Sequence, residues 1–116
     1  MNNLEALINK HNQKQHNATH IIKVNDLTYT VNKIPLSNVI ALQEEYGDSK
    51  TGQFEFAKEL TYLSIADFRD PKLHEMIDVK GEPHNIIEEI FEPKELTGLL
   101  TEVSKCYGEQ VDVKKQ

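Results

Sequence analysis

The sequence predicts an α+β fold, mainly α, with an N-terminal helix, one β-hairpin at about residues 20–33, and then a small bundle of about four to five short helices. Three observations carry this reading. Apolar residues recur at helical spacing along most of the chain, and only one stretch, residues 20–33, is dense in β-branched residues around a two-residue turn, Asn25-Asp26. Three prolines, Pro71, Pro83 and Pro93, each follow an acidic residue, in Asp70-Pro71, Glu82-Pro83 and Glu92-Pro93. A proline in the first helical position lacks only an N–H that would have no intrahelical partner, and an acidic residue before it meets the positive helix end, so the three pairs read as helix starts.

The elements follow in order. Asn2 is placed to cap a first helix with Glu5 as its capping-box partner, and Leu4, Leu7 and Ile8 supply a narrow apolar stripe. Residues 12–17 offer nothing apolar to bury and read as a linker. In the hairpin, Asn25 and Asp26 tolerate the positive φ angles of a two-residue loop, which sets Val24 against Leu27, Ile22 against Tyr29 and His20 against Val31. That register puts Ile22, Val24, Leu27, Tyr29 and Val31 on one side and Lys23, Thr28 and Thr30 on the other, with Ile21 as the exception. A lone two-stranded ribbon is marginal in water, so helices must cover its apolar side.

Ser37 reads as the N-cap of a helix carrying Val39, Ile40, Leu42 and Tyr46 and stopped by Gly47, with residues 48–52 as a polar loop. The next helix, about 53–68, carries Phe54, Phe56, Ala57, Leu60, Tyr62, Leu63, Ile65 and Phe68, more than one stripe of a helical wheel. Its width is either core on several sides or core plus a partner-binding face. Leu73, Met76 and Ile77 follow Pro71, and Ile86, Ile87, Ile90 and Phe91 follow Pro83. Leu96, Leu99, Leu100, Val103 and Tyr107 define the last helix, stopped by Gly108, and Gly98 inside it marks either a close approach or simple tolerance.

At 116 residues the chain has the size of one domain, assigned to residues 1–108, with 109–116 as a flexible C-terminal tail. Nineteen acidic against 13 basic residues, a net charge of −6, argue against nucleic acid or an anionic membrane as partner. The single cysteine, Cys106, excludes an internal disulfide and reads as a small buried thiol. With no long apolar run and no basic-then-apolar start, the expectation is a cytoplasmic protein.

Reactive side chains do not cluster. His11, His16, His20, His74 and His84 lack metal-ligand spacing, so neither a metal nor a cofactor is expected. Glu44-Glu45 and Glu88-Glu89 are adjacent pairs that diverge by about 100° on a helix, which reads as surface charge. Gly47, Gly52 and Gly81 read as turn residues, with no phosphate loop and no nucleophile elbow. No catalytic residue is nominated and an enzyme is not expected.

The order of these pieces resembles a known family. The opening Asn3-Leu4-Glu5-Ala6-Leu7-Ile8, the hairpin ending in Lys33-Ile34-Pro35, the helix running through Leu60-Thr61-Tyr62-Leu63-Ser64-Ile65-Ala66-Asp67-Phe68-Arg69 into Asp70-Pro71-Lys72-Leu73, and the leucine-bearing helix at 96–108 together resemble the small tail assembly chaperones of long-tailed bacteriophages and of prophages in Gram-positive bacteria. The chain has Asp78-Val79-Lys80-Gly81 and Glu92-Pro93-Lys94-Glu95 where that family often carries a Ser-Tyr-Gly-Val-like turn and a Gly-Glu-Tyr-like helix start. The resemblance implies a non-enzymatic viral protein of the bacterial host cytoplasm, left out of the mature virion. Its role would be to bind the tape-measure protein and keep it soluble during tail assembly, with the tail tube protein as a further partner. It also implies that the 109–116 tail is a natural junction for a frameshifted longer form. Phe54, Phe56, Tyr62 and Phe68 are named as partner contacts. A second reading, from the net charge and from Glu44, Glu45, Glu88 and Glu89, is a small acidic inhibitor or regulatory adaptor that occupies a basic site on another protein.

Overall fold

A computed structural model describes residues 2–108. The chain forms α1 (Asn3–Asn17), β1 (Thr19–Val24), β2 (Leu27–Asn32), α2 (Leu36–Tyr46), α3 (Lys50–Ser64), a 3-10 turn (Ala66–Arg69), α4 (Pro71–Met76), a second 3-10 turn (Pro83–Asn85), α5 (Ile86–Ile90) and α6 (Pro93–Tyr107). The expected α+β, mainly α class is the observed one. The tail assigned to 109–116 lies outside the described residues.

The hairpin has the expected register, with Val24 paired to Leu27, Ile22 to Tyr29 and His20 to Val31, and Asn25 and Asp26 both take positive φ. Val24, Tyr29 and Val31 are buried and Ile21 points to solvent, as the alternation requires. Leu27, assigned to the apolar side, is exposed at the ribbon tip, where it follows the Asn25-Asp26 turn. There Asn25 Nδ2 donates to the Glu95 carbonyl at 3.0 Å, tying the turn to the start of α6.

All three prolines occupy helix starts. Asp70 caps α4 by accepting from the Lys72 N–H at 2.9 Å, and Glu95 completes the cap of α6 by accepting from the Glu92 N–H at 3.1 Å. The core lies between the hairpin, α2, α3, α5 and α6, with Val31, Val39, Leu60, Ile65, Ile86, Ile87, Leu99 and Val103 almost wholly excluded from solvent. The Tyr107 hydroxyl accepts from the Ile34 N–H at 3.0 Å and lies 2.5 Å from Ser64 Oγ, so one phenol joins α6, α3 and the β2–α2 connection.

Four local expectations are corrected. Residues 12–17 continue α1 to Asn17 and are not a linker, because Lys and Gln favour helix without burial and Lys14 and His16 complement the negative helix end. Ser37 does not cap α2: Pro35 holds the N-cap position, its carbonyl accepts from the Asn38 and Val39 N–H groups, and the Ser37 hydroxyl turns to Asn38. The loop at 48–52 is shorter, since Ser49 caps α3 by accepting from the Gly52 N–H at 3.0 Å and places Gly52 inside the first helical turn. The long helix at 53–68 is two elements, broken where Ile65 takes extended backbone to bury its side chain.

Gly98 meets the hairpin at an ordinary distance, since a Cβ there would stand 3.8 Å from Val24 Cγ1. Simple tolerance is therefore the explanation. Gly98→Ala is expected to stabilise the protein by about 1 kcal/mol through helix propensity, read as a higher thermal midpoint.

Candidate functional site

The most concentrated polar chemistry among the described residues lies between α3 and the segment leading into α5. Lys58 is fully buried in the middle of α3, and its Nζ donates to Asn85 Oδ1 at 2.8 Å, pairs with Glu55 Oε2 at 3.0 Å, and is in direct contact with Glu88. An ammonium has three donors, and here three acceptors take them. The Phe54 ring adds a face to the charge, 4.9 Å from Nζ to its centroid. Asn85 is itself positioned by donating to the Lys80 carbonyl at 3.1 Å.

The buried His84 ring extends the network, with Nε2 3.2 Å from Glu55 Oε1 and Nδ1 3.8 Å from Glu59 Oε1. The Tyr46 hydroxyl, from the end of α2, donates to Glu59 Oε1 at 2.5 Å, and its ring stands edge-on to His84. Burial, reinforced by the Glu59 carboxylate, holds the Tyr46 phenol well above its ordinary range. For Glu55, partial burial would raise the carboxyl, but hydrogen bonds and charge from Lys58 and His84 outweigh it and hold the group below its ordinary 4.5. The folded state therefore takes up the Glu55 proton at lower pH than the unfolded chain does. The stabilisation is present above the ordinary value and is lost as pH falls through the lowered one. Glu55→Gln is expected to flatten that acid-side loss, measured as urea midpoints from neutral pH down to about pH 3.

This network spends the three donors of Lys58 internally and joins α2, α3 and α5. The residue types that would serve a metal are present, yet no group of three or more His, Cys, Asp or Glu among the described residues is arranged to hold an ion. Glu88, read as surface charge, is instead committed to Lys58. Lys58 shares its face of α3 with Glu55 and Thr61 as well as Phe54, so no local pattern marks it as a buried charge. Cys106 is half-buried, with Sγ 3.5 Å from the Glu102 carbonyl, and burial raises its thiol above the ordinary range.

The four aromatic residues named as partner contacts are dispersed. Phe56 and Phe68 are buried, and Phe68 stacks on Tyr29 at 5.7 Å and meets Phe91 edge-on at 6.1 Å. Tyr62 is half-buried, edge-on to His74. Phe54 retains 37% exposure. Phe54 and Phe56 stand about 200° apart around α3, so the set does not form one face.

A coherent unpartnered apolar face lies elsewhere. No residue of α1 is buried, and Leu4, Leu7 and Ile8 are 67%, 65% and 52% exposed on one stripe. The capping box of Asn2 and Glu5 fixes this helix start locally, with the Glu5 N–H donating to Asn2 Oδ1 at 2.8 Å. It contributes to an extended shape, 55 × 31 × 22 Å. Its C-terminal end is anchored where the Lys33 N–H donates to the Ala18 carbonyl at 2.9 Å, beside a cleft lined by Lys14, Lys33, Ile34 and Leu36.

Fold and face together define a small acidic α+β domain, mainly helical, with one hairpin and a projecting amphipathic helix. No helix among the described residues is long and apolar enough to cross a membrane. No protein-family model, curated protein or solved structure matches the chain.

Proposed function

We propose that this protein is a tail assembly chaperone of a bacteriophage or prophage, a non-enzymatic binder that holds the tape-measure protein soluble in the host cytoplasm and is absent from the finished virion. The observation that carries the reading is the unpartnered stripe of Leu4, Leu7 and Ile8 on a helix that stands away from the core. Full burial of such side chains is worth about 1.5–3 kcal/mol each, so leaving three in water along one line is useful only to a chain that covers them against something. An amphipathic client helix presents the complementary stripe, and the net charge of −6 opposes clumping of the loaded complex. Of the four aromatic residues named as contacts, Phe54 retains the exposure to meet a partner.

Co-expression with the tape-measure protein tests the reading. A soluble complex that Leu7→Asp dissociates, with the helical circular dichroism of the variant unchanged, is the expected result. A tape-measure protein that stays insoluble, or a complex indifferent to Leu7→Asp, overturns it. Salt distinguishes the acidic-inhibitor alternative, whose association rate falls steeply with ionic strength while an apolar contact persists. That alternative has also lost Glu88, which is engaged by Lys58.

A further inference from the structure

We infer that the stripe of α1 docks in parallel on the outer face of α2 of a second copy of this chain, two copies exchanging N-terminal helices across a two-fold axis. The outer face of α2 carries Leu36 and Ile40, one turn apart and both about half exposed, and Glu44 continues the same row one turn later. Its apolar half therefore comes first and its acidic residue, Glu44, second. The same order with the opposite charge is written on α1, where Leu4, Leu7 and Ile8 precede Lys14, two turns past Leu7 on the same side. With the helices laid parallel and Leu4 level with Leu36, Ile8 falls level with Ile40, and Glu44 falls about half a turn before Lys14. With two lysines and one glutamate, α1 is net positive in a chain of net charge −6, so attraction favours another copy's acidic surface.

Geometry excludes the same pairing within one chain. The end of α1 is hydrogen-bonded through Ala18 to Lys33, three residues before α2 begins, and Lys14 and Leu36 line one cleft. Folded back about that joint, α1 would run antiparallel to its own α2, with Lys14 against Leu36, Lys10 against Ile40 and Leu4 against Tyr46. The parallel register is available only between copies. A two-fold axis makes the contact twice, bringing ten exposed apolar side chains together and moving toward the roughly 1,200 Å² at which stable interfaces begin. The chaperone reading is not a premise here: self-association is read on the chain by itself, and client capture in co-expression. If both hold, client and second copy compete for one stripe.

Light scattering and sedimentation of the full chain from micromolar to millimolar concentration test the pairing. A dimer is expected that Ile8→Asp and Ile40→Asp each weaken about a hundredfold, because the axis loses each side chain twice. Both positions are exposed, so the monomer's helical circular dichroism is expected to persist. In a Cys106→Ser background, a mixture of Ile8→Cys and Ile40→Cys chains is expected to form the mixed disulfide. A monomer at every concentration, an association indifferent to Ile8→Asp, or crosslinking by the antiparallel pair Lys10→Cys with Ile40→Cys in place of the parallel one overturns the inference.

Discussion

Replacing both carboxylates around Lys58, in Glu55→Gln with Glu88→Gln, is expected to destabilise the protein by about 3 kcal/mol, the lower end of the range for stranding a buried charge. The glutamines keep carbonyl oxygens for the hydrogen bonds, so the loss isolates charge from geometry. The lower end is expected because water reaches the network, the Glu55 and Glu88 side chains being 31% and 44% exposed. Adding Lys58→Met is expected to return most of that stability, since it fills the same channel without a charge. Urea unfolding of the double and triple variants checks both steps. Equal midpoints for the two would show that the ammonium is not the source of the cost.

Gly52→Ala is expected to cost about 3 kcal/mol, the upper end of ordinary overpacking. A Cβ at Gly52 would lie 2.1 Å from the Tyr46 carbonyl oxygen and 3.0 Å from its carbonyl carbon. The obstructing atoms are backbone at the last residue of α2, so no rotamer change relieves the clash. Relief requires the α2–α3 joint to open, which also disturbs Tyr46 and its hydrogen bond to Glu59. A thermal midpoint within a degree or two of the parent chain would contradict the close approach. The contrast is Gly98→Ala, the same chemical change inside a helix, with the opposite expected sign because only a side-chain methyl faces it across 3.8 Å.

These glycines show where sequence reading succeeds and where it stops. Gly47 and Gly108 were legible as helix stops because positive φ is a local demand, and both take it. Gly52 was placed in a loop because nothing local reveals that Tyr46 curls back onto it. The hairpin register was legible because a two-residue turn leaves one alignment that keeps Val24, Tyr29 and Val31 on a common side. The proline-led helix starts were legible for the same reason, each depending on a residue and its neighbour.

Lys58 was not legible as a buried charge, since its partners Asn85 and Glu88 lie 27 and 30 residues away and only packing brings them within reach. The breadth of apolar residues on α3 was real, but it proved to be divided among several neighbours: Phe56 toward the core, Phe54 over an ammonium, Phe68 in a different element altogether. The stripe was in plain view as Leu4, Leu7 and Ile8, and what the residues could not say was that nothing among the described residues buries it.

By itself, then, the sequence determined the elements and their punctuation, because caps, turns and proline-led starts are settled by interactions within a few residues. Tertiary structure decided which apolar positions became core, which charge was swallowed, and which helix was left standing free. Those outcomes depend on the distances between segments far apart in the chain, and no local pattern encodes such a distance.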